Sequence, residues 1–433
     1  MSPEPGPGTR LDPWFGSYAK RTDGLKVSET RALFAVANRP EVVSLAGGMP
    51  FLDALPMDLI AKITSELINT EGTVALQYGS GQGHPLMREK ITEVMAEEFI
   101  TAHPDDVVVT TGSQQALDLV TRVFVDPGDV ILAESPSYVG ALSVFKSYEA
   151  WIEHVAMDAD GLVPAALEET IARLKAEGRR IKFLYTIPCY HNPAGVTLTV
   201  PRRAEVLEIC RREGILVVED NPYGLLGFDG QVTPAIRSLD ADGVIYLGSF
   251  SKTMAPGYRT GWALAPHAVR EKLVLASEAT ILCPSQASQL SIAAYLDNFD
   301  WRGQIDVYRG VYRERCQTML AALAEHMPEC DWTVPEGGFY TWVTVPEGIN
   351  TKTMLPRATT ALVAYVSGVA FYADGQGGRQ MRLSFCYPTP DRIREGVRRL
   401  AGVLSKEMEL VNLFGPHTEG LAPDVQNPAP DIA

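Results

Sequence analysis

The segment Ser249–Trp262 contains the residues of this sequence that are best suited to chemistry. It follows an apolar run, Val244–Gly248, which predicts a strand that enters a core. Lys252 lies between two hydroxyl-bearing residues, and Arg259 follows seven residues later, after a Pro-Gly pair. A lysine that forms an imine needs apolar surroundings that lower its proton affinity, and a phosphate beside it needs hydroxyls and an arginine. The segment supplies both and suggests a site for pyridoxal 5'-phosphate (PLP).

Lys252 also fits two interpretations that involve no PLP. The first is an ordinary surface lysine, since lysines often follow strands. The second is the serine nucleophile of penicillin-binding enzymes, which matches Ser249-x-x-Lys252. That class also needs a Ser-Asp-Asn and a Lys-Thr-Gly motif, and neither occurs in the sequence. The serine nucleophile is therefore dropped, and the surface lysine is weighed against the motifs that follow.

Three further polar motifs each follow a predicted strand of their own. Gly112–Leu117 opens a helix, whose free N–H groups suit a phosphate, although an ordinary serine helix cap accounts for it as well. Asp220 ends an apolar strand, where a carboxylate needs a cationic partner such as a protonated pyridine nitrogen or a structural ion pair. Asn192 can donate a hydrogen bond to a phenolic oxygen, although Asn-Pro turns are common. The order of these motifs along the chain, more than any single one, favours the PLP site.

Composition and charge narrow the classes of function. The chain has 433 residues and 46% hydrophobic content, enough for a large core and two domains that share one active site. A net charge of −15 does not favour nucleic acid or an anionic membrane as a partner, so anionic ligands must be held by local basic groups. None of the six cysteines is spaced as C-x-x-C, which argues against a zinc ribbon and for reduced thiols, and we predict no metal. We find no signal-peptide pattern in Met1–Asp12 and no apolar run of about 18 residues, and we expect a cytoplasmic protein.

Short apolar runs alternate with helical patterns along most of the chain, which predicts an α/β fold. Strands separated by helices indicate a mostly parallel sheet covered on both faces, with the catalytic loops at the carboxyl ends of the strands. After about residue 300, a long charged helix, alternating strands and a closing helix indicate a smaller α+β domain. We therefore expect a disordered N-terminus at 1–10, an N-terminal segment joining the small domain at 11–60, a large PLP-binding domain at 61–300, a small C-terminal domain at 301–414 and a disordered tail at 415–433.

Beyond these patterns, the chain resembles a known family, the fold-type I, class I/II PLP-dependent aminotransferases. The resemblance is closest to the branch that contains 2-aminoadipate and kynurenine aminotransferases, and it spans roughly residues 14–410. The segments that carry it are Leu76–Gly83, Gly112–Leu117, Glu219–Gly224, Ser249–Trp262 and Met381–Phe385. It implies the family's large domain with a mixed, mostly parallel sheet and its smaller α+β domain. It also implies transfer of an amino group from an L-amino acid to a 2-oxo acid by a ping-pong mechanism.

The resemblance implies roles for individual residues around the cofactor. Lys252 looks like the lysine that forms the Schiff base, and Asp220 looks like the partner of the pyridine nitrogen. Asn192 and Tyr223 look like the pair that bonds the phenolic oxygen of the ring, and Tyr138 looks like the aromatic residue stacked on it. Lys252, Asp220 and Tyr223 are the implied catalytic residues. The implied phosphate ligands are Ser113, Gln114, Ser249, Ser251 and Arg259.

Further roles concern the partner subunit and the substrate. Tyr78 resembles the tyrosine that reaches the phosphate of the neighbouring subunit, which implies a homodimer. Arg382 resembles the clamp for the substrate α-carboxylate, a bidentate task that suits a guanidinium. Arg31 resembles a residue of the mobile N-terminal helix in the aminoadipate branch, where it would meet a distal carboxylate; a solvated helix arginine is the alternative. Gly48 and Asn192 would line the same pocket.

The substrate and the reaction type stay less defined. Tyr18, Tyr138 and Phe339 suit aromatic or branched side chains, so we expect 2-aminoadipate, aromatic or branched-chain donors, with 2-oxoglutarate as the acceptor. Gln380 stands where the family commonly has an asparagine, which leaves specificity open. A PLP-dependent lyase, decarboxylase or cyclase would use the same residues and stays an alternative. A transcription regulator is disfavoured because only about 40 residues precede Val42–Gly48, and a cofactor-free binding protein because the full polar set is present.

Overall fold

The computed structural model describes Asp12, residues 14–24 and residues 39–415. Within these residues the strands are β1 Val43–Ser44, β2 Val107–Thr110, β3 Val130–Ser135, β4 Trp151–Asp158, β5 Gly161–Leu162, β6 Ile181–Thr186, β7 Leu216–Asp220, β8 Val244–Ser249, β9 Gly261–Leu264, β10 Asp331–Trp332, β11 Tyr340–Thr344, β12 Val363–Ala364, β13 Val366–Ser367 and β14 Gln380–Ser384. The α-helices are α1 Met57–Ala75, α2 Pro85–Ala96, α3 Ser113–Phe124, α4 Val139–Ser147, α5 Pro164–Ala176, α6 Val200–Glu213, α7 His267–Ile281, α8 Gln286–Asn298, α9 Trp301–His326, α10 Thr351–Thr360 and α11 Pro390–Phe414.

Eight strands form the large sheet, in the order β2-β9-β8-β7-β6-β3-β4-β5. Strand β9 runs antiparallel to both of its neighbours and β5 antiparallel to β4, whereas the pairs from β8 to β4 are parallel. Strands β2, β8, β7, β6 and β3 therefore point the same way, and their carboxyl ends meet at one edge of the sheet. The predicted α/β fold with a mostly parallel sheet is confirmed.

Both faces of this sheet are covered, as the apolar strands require. In β3, Ile131 and Ala133 pack into a core with apolar residues of α3, α4 and α7, whereas Val130 and Leu132 pack into a second core with α5 and α6. Successive side chains of a strand point to opposite faces, so a strand buried on both sides has to be apolar throughout. Buried carboxylates such as Glu134 and Asp220 consequently lie near the ends of their strands, where the loops begin.

The smaller domain is built on the antiparallel sheet β10-β11-β14-β13. Strand β1 pairs in parallel with β12, Val43 opposite Val363, so the segment before α1 joins this domain. The predicted boundary between residues 60 and 61 falls inside α1, and the division into domains stays a prediction. Leu67 and Ala75 of α1 pack with Leu290 of α8.

Element ends differ from the sequence prediction by a few residues. Helix α3 begins at Ser113 rather than Ala116, because Gly112 takes a φ of +82° and the chain enters the helix directly after it. The closing helix extends to Phe414 instead of Glu407. The segments expected to be disordered, 1–10 and 416–433, lie outside the described residues. In residues 14–24 and 39–415, no helix has the length and apolar character needed to cross a bilayer.

Candidate active site

A cavity of about 600 Å³ lies at the carboxyl edge of the large sheet and is closed by residues of the smaller domain. Most of the residues that the sequence pointed to line it. These are Gly48, Ser113, Gln114, Tyr138, Asn192, Asp220, Tyr223, Ser249, Ser251, Lys252 and Arg382. Arg259 lies behind the lining, within 3.5 Å of the Ser251 hydroxyl. Tyr78 is 76% exposed and is not in the lining, and Arg31 lies outside the described residues.

Lys252 follows β8 and projects into the cavity. Its Nζ donates a hydrogen bond to the Gly48 carbonyl, 2.9 Å away, and lies 5.5 Å from the centre of the Phe339 ring. Desolvation, helped by the positive charges of Arg382 and Arg259 and opposed by Cys386, lowers the pKa of Lys252 to about 8. The amine therefore has a neutral fraction near physiological pH, as a nucleophilic or basic amine needs.

Asp220 is the last residue of β7, which pairs in parallel with β6 and β8. Its Oδ2 accepts a hydrogen bond from the Tyr185 hydroxyl at 2.8 Å, whereas its Oδ1 is buried without a partner. Burial raises the pKa of Asp220 to about 6, and the bond from Tyr185 opposes that rise. A buried carboxylate oxygen that lacks a donor and lines a cavity suits a ligand that brings a cationic N–H.

A group of donors lies where α3 begins. Ser113 and Gln114, in its first turn, line the cavity together with Ser249 and Ser251, whose hydroxyls lie 2.9 Å apart, and the N–H groups of a first helical turn have no partner within the helix. Arg259 adopts the left-handed conformation, φ 49°, which turns its guanidinium towards this helix end, where its Nη2 donates to the Thr111 carbonyl at 3.1 Å. A Cβ on Gly112 would lie 2.4 Å from that guanidinium, so only glycine fits here. Hydroxyls, helix N–H groups and an arginine together are a phosphate-type site.

Tyr138 and Gln114 form one wall of the cavity. Tyr138 caps α4, and the side chain of Gln114 donates to the Gly140 carbonyl at 3.1 Å, which ties the start of α3 to α4. Burial and the nearby charge of Asp220 raise the pKa of Tyr138 to about 12, so this ring stays a neutral phenol. A flat neutral ring beside Asp220 offers a stacking surface to an aromatic ligand.

Arg382 enters the cavity from β14 of the smaller sheet. Its Nη1 donates to Asn192 Oδ1 at 2.9 Å and its Nη2 to the Ala46 carbonyl at 2.6 Å. The guanidinium lies 4.1 Å from the centre of the Tyr340 ring, and the side chain is only 3% exposed. Within the described part of the chain it forms no ion pair with a carboxylate, and its Nε is buried without a hydrogen-bond partner. A buried arginine held by neutral groups suits an incoming carboxylate.

Tyr340 is the site residue that the sequence reasoning missed. Its hydroxyl is hydrogen-bonded to that of Tyr223, and a Cβ on Gly48 would come within 1.9 Å of it. Its neighbour Phe339, named from the sequence, contacts Lys252 but is fully buried and lies outside the lining. Tyr18, also named, is 56% exposed and likewise outside it. The close pairing of Gly48 with Tyr340 joins segments far apart in the chain, so no local pattern marked it.

Comparison with known proteins identifies the family. Residues 40–400 match the family described as aminotransferase class I and II. An aromatic-amino-acid aminotransferase from Thermococcus litoralis is 42% identical over 396 residues, which cover 90% of this chain and 95% of that protein. A 2-aminoadipate transaminase from Thermus thermophilus is 36% identical over 92% of this chain and 99% of that protein. The chain therefore belongs to the class I and II aminotransferases.

A solved structure extends the likeness to the cofactor. An α-aminoadipate aminotransferase from Thermus thermophilus, crystallised with N-(5'-phosphopyridoxyl)-L-leucine, has a TM-score of 0.86 and 34% identity, covering 92% of this chain and 100% of that one. The protein is accordingly a PLP-dependent aminotransferase of the branch expected from the sequence, and the resemblance is confirmed. The lyase alternative is set aside. The unpartnered Oδ1 of Asp220 and the donors around Gly112 fit the ring nitrogen and the phosphate of PLP.

Proposed function

We propose that Lys252, Asp220 and Tyr223 are the catalytic residues of this aminotransferase. Lys252 would hold PLP covalently through Nζ, and Asp220 would meet its ring nitrogen through Oδ1. Tyr223 and Asn192 would bond the phenolic oxygen, and Tyr138 would stack on the ring. The cofactor phosphate would be held by Ser113, Gln114, Ser249, Ser251 and Arg259, with Tyr78 of a second subunit. The observation that carries this assignment is the buried, unpartnered Oδ1 of Asp220 in the same cavity as Lys252 Nζ.

The residues divide the chemical work between them. Bound PLP supplies a ring that accepts electron density from the substrate carbon. Arg382 binds the substrate α-carboxylate in two parallel hydrogen bonds, which orients the Cα–H bond towards Lys252. Lys252 Nζ then takes the Cα proton and later returns it; with a pKa of about 8, roughly a tenth of the amine is neutral at pH 7. Asp220 stays ionised and stabilises the positive ring nitrogen throughout.

The substrates are the next part of the proposal. The relatives named above act on aromatic amino acids and on 2-aminoadipate, and the cavity is lined by Tyr138, Tyr340 and Ile187. We infer broad donor specificity over 2-aminoadipate, aromatic and branched-chain amino acids, with 2-oxoglutarate as the acceptor. A donor panel with 2-oxoglutarate, followed by glutamate formation, tests this. Glutamate formed from no donor of these classes would reject it, as would release of ammonia or pyruvate without an acceptor.

Arg31 is proposed to bind the distal carboxylate of dicarboxylic substrates. We expect Arg31→Ala to raise the KM for 2-aminoadipate and 2-oxoglutarate far more than the KM for leucine. Arg39→Ala is the matched control, because Arg39 is exposed and pairs with Glu41 on the surface. Equal effects of Arg31→Ala on dicarboxylic and neutral substrates would remove Arg31 from this role. The homodimer and the cytoplasmic location expected from the sequence stay predictions.

A further inference from the structure

Tyr185 is a buried residue that has no role in the assignment above. It lies in β6, beside β7, and its side chain is completely inaccessible. Its hydroxyl donates to Asp220 Oδ2 at 2.8 Å. Tyr185 is not among the residues that line the cavity, so it does not reach a ligand there. Its effect on the site must therefore pass through Asp220.

The packing around Tyr185 leaves its ring little freedom. The ring of Phe145 from α4 meets it edge-on, with the centroids 5.4 Å apart and the planes at 78°. The hydroxyl is thus fixed on one side of Asp220, and Oδ2 is occupied. Only Oδ1 lacks a hydrogen-bond partner, and Asp220 is one of the residues that line the cavity. Tyr185 therefore determines which carboxylate oxygen of Asp220 stays available to a ligand.

We propose that Tyr185 is a positioning residue that orients and ionises Asp220, so that Oδ1 receives the N–H of the PLP ring. The inference depends on the proposed role of Asp220. Physically, burial favours a protonated Asp220, which would leave the ring nitrogen without its negative partner. A hydroxyl donor stabilises the ionised form and opposes that cost. Tyr138 is a second titratable group near Asp220, and its neutral phenol contributes no charge.

The test measures binding rather than turnover, with PLP and with its 1-deaza analogue, which has carbon in place of the ring nitrogen. Cofactor-free protein is titrated with each compound, and the dissociation constants are compared for wild type, Tyr185→Phe and Tyr148→Phe. Tyr148 is the matched control, because its hydroxyl also donates to a carboxylate, Asp118, at 3.0 Å, but outside the cavity lining. We expect Tyr185→Phe to weaken PLP about tenfold, as loss of a hydrogen bond to a charged group does, and to leave the analogue within about twofold.

The outcomes separate this inference from the role of Asp220. If Tyr185→Phe weakens both compounds equally, or neither, the positioning role is wrong. If Asp220→Asn leaves the preference of the protein for PLP over the analogue unchanged, the proposed role of Asp220 itself is wrong. In the Asp220→Asn background, Tyr185→Phe should have no further effect. Should Tyr185→Phe fail to fold, 3-fluorotyrosine at position 185, a stronger donor of similar size, should tighten PLP relative to the analogue, and an unchanged ratio would reject the inference.

Discussion

The contact between Gly48 and Tyr340 gives a prediction whose size follows from the geometry. In Gly48→Ala, the new Cβ would lie 1.9 Å from the Tyr340 hydroxyl, whereas relaxed non-bonded contacts need about 3.5 Å. The hydroxyl must therefore move by roughly 1.5 Å. Three groups of the site contact Tyr340 or Gly48 and would be displaced by that movement. Tyr223 is hydrogen-bonded to Tyr340, Arg382 stacks on its ring, and Lys252 bonds the Gly48 carbonyl.

A misplacement of about 1 Å at an active site costs on the order of 100-fold in rate, so we expect Gly48→Ala to lower kcat/KM by about that factor. Tyr340→Phe removes the clashing oxygen and leaves the ring carbon Cζ, 3.1 Å from the new Cβ. That distance is tight but needs only a few tenths of an ångström of adjustment. The double variant Gly48→Ala, Tyr340→Phe should therefore recover most of the activity that Gly48→Ala loses.

Steady-state kinetics on the wild type, both single variants and the double variant measure this coupling. A matched comparison is Gly310→Ala, since a Cβ at Gly310 of α9 meets no atom within 4 Å. If the losses of the two single variants simply add in the double variant, Gly48 and Tyr340 are not sterically coupled and the expected clash does not occur.

Three further predictions concern the charged groups of the site. Lys252→Ala should lower kcat by at least about 10³-fold because it removes the amine that moves the proton, and wild-type turnover by this variant would end the assignment. Arg382→Lys should raise the KM for amino-acid donors roughly 10- to 100-fold with a smaller change in kcat, because an ammonium cannot make the bidentate contact; an unchanged KM would argue against the clamp. For Asp220, the folded-state pKa of about 6 exceeds the ordinary value of 3.8, so the folded cofactor-free protein binds the extra proton and its stability falls as the pH rises from about 4 to 6. The loss amounts to about 3 kcal/mol, so the free energy of unfolding of cofactor-free Asp220→Asn should fall less over that pH range than that of the wild type. Denaturant unfolding at a series of pH values measures this, and parallel pH profiles of the two proteins would contradict the raised pKa of Asp220.

The parts of the site that the sequence predicted share a physical cause. Asp220 ends β7 and Lys252 comes shortly after β8, and both strands begin with buried or nearly buried apolar residues. A polar residue at the end of such a strand is easy to recognise, and the topology then brings all these ends to one edge. Arg382 lies on a different sheet, and only the resemblance to the family placed it in the site.

The parts that escaped prediction depend on contacts between distant segments. Tyr340 lies in a buried strand of the smaller domain, where an aromatic residue is usually part of the core. Only its contact with Gly48 shows that its hydroxyl belongs to the site. Tyr185 likewise lies inside a buried strand, and the residues next to it in the sequence do not indicate that its hydroxyl contacts a carboxylate. The position of the domain boundary near residue 60 stays a prediction for a related reason. These residues lie in α1, and helical periodicity does not show which domain that helix packs against.

Three charged groups of the site lack part of their charge or hydrogen-bond partners in the protein alone. The arrangement that suits ligand binding therefore lowers the stability of the ligand-free protein. Burial disfavours the charged forms of Lys252 and Asp220, and Arg382 is buried without an ion-pair partner among the described residues. Each arrangement costs folding free energy, which ligands recover when they supply the missing charge or hydrogen bond. In a chain with a net charge of −15, we expect such local cations to hold anionic substrates. We therefore expect PLP with a substrate analogue to raise the unfolding temperature more than PLP alone, because only the pair satisfies all three groups.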